Sequence, residues 1–277
     1  MNYRRSYLPF TILAFGYAFL YLPVLSLIVY SFNVSRLVTV WGGFSVKWYG
    51  ELLHNEPILR AAGLSLRIAA ITATIAVVLG TLLAVVLTRF GRFRGRGILS
   101  ALSTAPLVMP DVIAGLSILL LFVALQEWIG WPDGRGVTTI VIAHVTLSMA
   151  YVAVVVRSRL AHTDRALEEA ALDLGARPWK VFLVITLPII SPALLAGWLL
   201  AFTLSLDDVV VASFVSGPGS TTLPMVVYSS IRLGLSPQIN ALASIIVVLV
   251  TSAITLVGVL MYHFDGKTMK HEGNSLG

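Results

Sequence analysis

Cysteine is absent from the 277 residues of this chain, and charged residues make up only 12% of them. Without cysteine the chain can form no disulfide, no thiolate metal ligand and no cysteine nucleophile. With so few charges and 57% hydrophobic residues, it is far more apolar than a soluble domain. The composition therefore predicts an integral membrane protein whose surface contacts lipid.

Catalytic signatures are also missing from the sequence. There is no HExxH, no GxSxG and no phosphate-binding loop, and Met261 stands where a Walker motif ending at Gly266 and Lys267 would need its first glycine. The histidines are scattered, and His144, inside an apolar segment, is more typical of a hydrogen-bonded packing residue than of a metal ligand. We therefore predict a non-catalytic subunit with no metal or cofactor of its own.

Six apolar runs are long enough to cross a bilayer, because about 20 helical residues span a hydrocarbon core of about 30 Å. The predicted spans cover residues 9–32, 64–88, 98–125, 137–156, 188–215 and 241–262. The loops predicted to be external cover residues 33–60, 126–136 and 216–239. We expect an all-α protein that forms one transmembrane domain over residues 1–277. In the first loop, one helical face is predicted to carry Trp48, Tyr49, Leu52 and Leu53, which fits either an interfacial helix or packing on the bundle.

The basic residues favour one orientation in the membrane. If the amino terminus is cytoplasmic, 13 of the 19 lysines and arginines lie inside: Arg4, Arg5, Arg89, Arg92, Arg94, Arg96, Arg157, Arg159, Arg165, Arg177, Lys180, Lys267 and Lys270. The positive-inside rule then predicts that both termini and the polar loop 157–187 are cytoplasmic. The basic pI of about 9.8 is thereby explained by membrane orientation, without a nucleic-acid partner.

The polar loop 157–187 has helical signals of its own. Apolar residues recur with the period of one helical face: Leu167, Ala170, Ala171 and Leu174. Asp164 can cap the start of that helix. Gly175 stands where a helix end needs positive φ, and Pro178 suits the first turn of a second helix. The loop therefore predicts two helices with a tight joint, and we expect another protein to dock there.

Three aspartates lie within the predicted spans: Asp111, Asp207 and Asp208. A carboxylate inside a membrane costs about 2.5–3.5 kcal/mol on insertion scales, and it usually faces a cavity or a partner. No basic residue lies deep in the third or fifth span, so a cationic substrate is the natural counter-ion. Pro106 and Pro110 lack backbone donors and are expected to kink or unwind the third span, and Asp111 could instead cap the broken helix end.

The adjacent acids are not equivalent. On a helix they point about 100° apart, so we expect one to face the pathway and the other to face a helix interface or water. We favour Asp208 for the pathway. Tyr21 and Tyr151 are candidates for cation–π contacts with ammonium groups, worth about 0.5–2 kcal/mol each, although tyrosine in a span is more often a packing residue.

The loop also carries a spacing that resembles a known family. EAA at 169–171, Gly175 and ITLP at 185–188 follow the pattern EAA(x3)G(x9)IxLP, which is similar to the EAA motif of bacterial ABC importer permeases. The resemblance implies a coupling helix that inserts into a groove on an ATPase subunit. The residues it implies for this role are Glu169, Ala170, Ala171, Gly175, Pro178 and Trp179. On the residues alone, Glu169 could merely favour its helix through the dipole, and Gly175 could merely end it.

Longer stretches at 31–49, 105–122, 201–219 and 221–225 resemble the spermidine and putrescine permeases, in particular the second permease subunit of a putrescine system. The resemblance implies a type I ABC importer permease fold in the bacterial inner membrane. It also implies a related second permease subunit, two copies of a cytoplasmic ATPase that bind ATP and Mg, and a periplasmic polyamine-binding protein. It leaves the choice between putrescine and spermidine open.

Two other functions share part of this pattern. An ABC permease for another solute, such as iron or thiamine, would have the EAA loop but would not need the acids. A proton-coupled secondary transporter would use the acids as proton relays, yet it would have no reason to display the EAA stretch.

Overall fold

The computed structural model describes residues 8–36, 40–233, 237–252 and 255. Within those ranges the regular secondary structure is helical, apart from an isolated β-bridge between Asn33 and Phe44. This confirms the all-α prediction. The helices are α1 (Leu8–Ser31), α2 (Lys47–Leu53), α3 (Glu56–Arg89), α4 (Arg96–Val108), α5 (Asp111–Ile129), α6 (Val137–Ala161), α7 (Ala166–Asp173), α8 (Pro178–Val181), α9 (Leu187–Asp207), α10 (Val210–Val215), α11 (Leu223–Leu233) and α12 (Pro237–Ser252).

Five helical segments in the described part of the chain are long and apolar enough to cross a membrane. They are Pro9–Ser31, Glu56–Arg89, Asp111–Ile129, Val137–Ala161 and Pro178–Asp207. The helix α12 is apolar but shorter. The predicted sixth span, 241–262, begins within it, and residues 253–254 and 256–262 of that span lie outside the described residues.

The chain divides into two compact units. The first comprises Met1–Leu59 and Ser229–Gly277. In it, Trp48 is buried and its indole Nε1 donates to the Asn33 carbonyl at 2.6 Å. Leu52 is buried on the same face of α2. Of the two roles expected for this short helix, packing is the one that these contacts fit.

The second unit, Arg60–Tyr228, is organised around α6, which packs against α4, α5, α9 and α10. Small side chains dominate one of its cores. The members of that core come from α3, α6 and α9: Ala73, Ala76, Ala84, Val152, Val156, Leu160, Ile190 and Ala201. Small residues let helix backbones approach closely, which is how membrane helices gain packing energy without a hydrophobic driving force between them.

Gly80 lies where α3 approaches α6 closely. A Cβ at this position would lie 2.8 Å from the Met149 carbonyl oxygen and 2.8 Å from the Val152 Cβ. We expect Gly80→Ala to lower the thermal unfolding midpoint of the purified protein, since overpacking costs about 1–3 kcal/mol. Gly63→Ala on the same helix is the control, because a Cβ there meets nothing within 4 Å and alanine is the better helix former. Equal midpoints for the two variants would contradict this packing.

The predicted break in the third span is confirmed. Met109 and Pro110 are extended, with ψ of 133° and 137°, and they separate α4 from α5. Proline has no N–H to continue the helix, and it disfavours helical dihedral angles in the residue before it. The region predicted as one span is therefore two helices, and α5 begins at Asp111.

The predicted fifth span, 188–215, is wrong at both ends. Its helix begins at Pro178 and passes through a π-helical segment, Phe182–Thr186, directly into α9. It ends at Asp207, because Asp208 is extended with ψ of 127°. The second helix of the polar loop and the following span are thus one continuous helix. The predicted end of the loop at residue 187 lies inside this helix.

The predicted external loop 216–239 also differs from the structure, because it contains α11. Glycine, proline and serine at its start are typical of a loop. Pro224, however, is the second residue of α11, where the missing N–H is not needed for an intrahelical bond. The second span is likewise longer than predicted, since α3 starts at Glu56.

Candidate functional site

A cavity of about 270 Å³ lies in the second unit, where α5 and α6 meet the break between α9 and α10. Its walls are formed by Asp111, His144, Leu147, Ser148, Tyr151, Leu204, Asp207, Asp208, Val209 and Val210. The structure therefore brings together all three predicted aspartates and one of the two predicted tyrosines.

Two interrupted helices place the acids at this cavity. Asp111 is the first residue of α5, where the helix dipole favours a negative charge. Asp207 is the last residue of α9. Asp208 lies in the break itself, and its carboxylate accepts the backbone N–H groups of Val211 at 3.2 Å and Ala212 at 2.7 Å. Backbone groups freed at membrane depth need such partners, so the acid supports the break.

His144 contacts this arrangement from α6. Its side chain is only 3% exposed, its Nδ1 lies 2.7 Å from the Ser205 hydroxyl, and its Nε2 lies 3.2 Å from a carboxylate oxygen of Asp208. These contacts agree with the prediction that His144 is a hydrogen-bonded packing residue. Its position in the cavity wall was not predicted. Polar residues at 144, 148 and 151 share one face of an otherwise apolar helix, and that period is the signal that could have indicated it.

Asp207 and Asp208 differ in their surroundings, but not for the reason that was predicted. The prediction assumed a continuous helix through both, whereas the helix ends at Asp207. Asp208 holds His144 and the first turn of α10, which is the interface role expected of one of the pair. Asp208 also lines the cavity, so its choice as the pathway residue stays a prediction, and Asp207 is a second candidate with fewer hydrogen bonds to hold it.

The two tyrosines differ in position. Tyr151 lines the cavity from α6. Tyr21 belongs to α1 in the first unit, where its ring stacks on Tyr17 with a centroid distance of 6.0 Å. Tyr21 is not among the residues that form the cavity wall.

The polar loop folds as its local signals predict. The Asp164 carboxylate accepts the Ala166 N–H at 2.9 Å at the start of α7. Gly175 has φ of +84° and donates to the Leu172 carbonyl at 2.9 Å, while Ala176 donates to the Ala171 carbonyl at 3.0 Å. This pair of bonds is the glycine-dependent helix terminator, and Pro178 then begins α8. The helix, the joint and the second helix are all confirmed.

The surface of this loop is open. No side chain of α7 is buried. Leu174 is 89% exposed and Trp179 is 60% exposed, so large apolar groups flank the glycine joint without cover from the described chain. Together with the EAA spacing, these groups form what we call the coupling surface: Glu169, Ala170, Ala171, Leu174, Gly175, Pro178 and Trp179.

Apolar helices that place three acids at one cavity are typical of a membrane transport protein. The chain matches the family described as binding-protein-dependent transport system inner membrane component over residues 76–270. It belongs to this family, which is a family of multi-pass membrane subunits.

Curated relatives agree along nearly the whole chain. The putrescine transport system permease protein PotI of Escherichia coli K12 is 60% identical over 266 residues, which cover 96% of this chain and 93% of that protein. The spermidine/putrescine transport system permease protein PotC of the same organism is 44% identical, over 84% of this chain and 86% of that protein. The resemblance predicted from the motifs is thereby confirmed.

The fold is also found in a solved structure. A chain of a bacterial ABC transporter involved in the import of the acidic polysaccharide alginate superposes with a TM-score of 0.72 and 17% identity, over 95% of this chain and 99% of that one. This likeness confirms the type I ABC importer permease fold.

Proposed function

We propose that this chain is a permease subunit of an ATP-driven importer of putrescine or spermidine. It forms half of a translocation pathway that opens alternately to the two sides of the membrane. The observation that carries the proposal is the meeting of Asp111, Asp207 and Asp208 at one cavity. The names of the relatives, a putrescine and a spermidine/putrescine permease protein, support the same substrate class.

The cavity suits a diammonium ion for electrostatic reasons. Like charges repel each other more strongly at the lower effective dielectric constant of a cavity wall than in bulk water. Carboxylates gathered in a small cavity are therefore stabilised by cations between them. His144 hydrogen-bonds one of the acids, Asp208, from α6. Leu147, Leu204 and Tyr151 supply apolar wall for the methylene chain that joins two ammonium groups.

The coupling surface is the proposed docking site of a cytoplasmic ATPase, which is present in two copies. The ATPase binds ATP and Mg and drives transport, while this chain remains non-catalytic. A related second permease subunit completes the pathway, and a periplasmic binding protein delivers the polyamine. Both termini are cytoplasmic in this assignment, in agreement with the positive-inside distribution of lysine and arginine. The whole chain acts as one permease domain in the bacterial inner membrane.

Uptake into proteoliposomes tests the proposal. We expect the complex of this chain with its permease, ATPase and binding-protein partners to accumulate labelled putrescine or spermidine when ATP is present, and to do so unchanged when a protonophore is added. Complexes without this chain are the control. Uptake that needs no ATP and collapses with the protonophore would identify a secondary transporter. ATP-dependent uptake of iron or thiamine but of neither polyamine would identify a permease for another solute.

A further inference from the structure

Glu168 precedes the EAA residues and belongs to none of the motif positions. Its carboxylate oxygen Oε1 accepts from the Arg89 guanidinium at 2.9 Å and from the Thr186 hydroxyl at 2.9 Å. The Arg89 and Glu168 side chains are only 14% and 16% exposed, and Thr186 is buried. One oxygen atom thus joins three elements: α7, the last residue of α3 and the π-helical segment that leads into α9.

A second hydrogen bond also joins the polar loop to the end of α3. Arg165, directly before α7, donates to the Thr88 carbonyl at 2.5 Å. The last carbonyls of a helix have no partner within the helix, so a guanidinium from outside satisfies one of them and suits the negative end of the dipole. Two side chains of the polar loop 157–187, Arg165 and Glu168, therefore hold the end of α3.

Polar contacts help to hold α7 in place. No side chain of α7 is fully buried, and its apolar packing is limited to partly covered residues such as Ala171. The ion pair of Glu168 with Arg89 is largely shielded from water and joins one guanidinium nitrogen, Nη2, to one carboxylate oxygen, while the buried Arg89 Nε has no hydrogen-bond partner among the described residues. Charge-assisted hydrogen bonds are shorter and stronger than neutral ones, so the bond to Arg89 ties the position of Glu168 to the end of α3.

The receiving element is suited to movement. The π-helical segment Phe182–Thr186 has wider turns than an α-helix, and such segments occur often at functional sites. It continues without a break into α9, whose last residue is Asp207 in the cavity wall. A displacement applied at Thr186 therefore acts on the same helix that carries a cavity acid at its other end.

We infer that Glu168 is a positioning residue for transport, because it couples movement of α7 to α3 and α9 through Arg89 and Thr186. The inference rests on the proposed function. Glu168 contacts no substrate and no ATP in this role. Its loss uncouples the ATPase cycle from movement of the cavity, which distinguishes it from a residue that only stabilises the fold.

The test measures ATP hydrolysis and putrescine uptake separately, in proteoliposomes that contain the full complex. We expect Glu168→Ala to lower the amount of putrescine moved per ATP hydrolysed about tenfold, within the range typical of coupling between two sites. Hydrolysis itself should continue. Glu127→Ala is the matched control, because it removes an exposed carboxylate from α5 and should leave the ratio unchanged.

Each outcome decides one point. A wild-type complex that moves no polyamine would overturn the proposed function, whereas a working wild type with an unchanged ratio in Glu168→Ala would overturn the coupling role alone. If Glu168→Ala does not reach the membrane, Glu168→Gln decides instead, since it keeps the shape and an acceptor for Thr186 but loses the charge. A reduced ratio in that variant supports the inference, and a wild-type ratio overturns it.

Discussion

Conversion of both Asp111 and Asp207 to asparagine is expected to reduce putrescine uptake about 100-fold or more. Hydrogen bonds to a charged group contribute about 1.5–3 kcal/mol each, and every 1.4 kcal/mol corresponds to a factor of ten. Asparagine keeps the size and the polar atoms of aspartate but removes the negative charge that a cationic substrate requires. Each single variant should show roughly half of the effect on a logarithmic scale. Initial uptake rates across a range of putrescine concentrations measure it.

Asp208→Asn separates binding from structure. Asp208 accepts two backbone N–H groups of α10 and contacts His144, so its variant should also lower the thermal unfolding midpoint. The variants at Asp111 and Asp207 should keep a midpoint close to that of the wild type. Asp133→Asn, at an exposed acid outside the cavity, is the control for loss of charge. Wild-type kinetics in both Asp111→Asn and Asp207→Asn would exclude the cation path.

Gly175→Trp is expected to abolish uptake while the protein still reaches the membrane. Gly175 has φ of +84°, and a Cβ built there meets nothing within 4 Å. A Cβ there would therefore clash with no atom of the described residues, and the backbone strain amounts to about 1–2 kcal/mol. The bulk of tryptophan instead projects from the coupling surface, where we expect an ATPase to approach closely. Membrane content by immunoblot and uptake by the complex are the two measurements.

Gly95 offers a matched control. Its φ is +88°, and a Cβ there also meets nothing within 4 Å, but it lies in the connection between α3 and α4. Gly95→Trp carries the same kind of backbone strain without changing the coupling surface, so uptake should be largely retained. Normal uptake by Gly175→Trp would refute the docking role of this joint.

Local signals predicted the polar loop correctly. Asp164, Gly175 and Pro178 each act through dihedral angles or hydrogen bonds within a few residues, so their effect needs no distant partner. The break before Asp111 was predicted from Pro106 and Pro110 together, but only Pro110 stands at a helix boundary, since α4 continues through Pro106. By contrast, no proline or glycine marks the end of α9 at Asp207. That end depends on Asp208, which is held by α10 and by His144 from a different helix.

Composition and periodicity by themselves determined that this is a helical membrane protein, and the EAA spacing determined its family. These properties depend on the average polarity of each segment and on short-range geometry, both of which can be seen in the order of residues. Only the tertiary structure decided that Asp111, Asp207 and Asp208 line one cavity and that His144 contacts it. The same holds for the ion pair of Arg89 with Glu168, whose residues are 79 positions apart. Such contacts depend on how closely packed helices cross, which no local preference specifies.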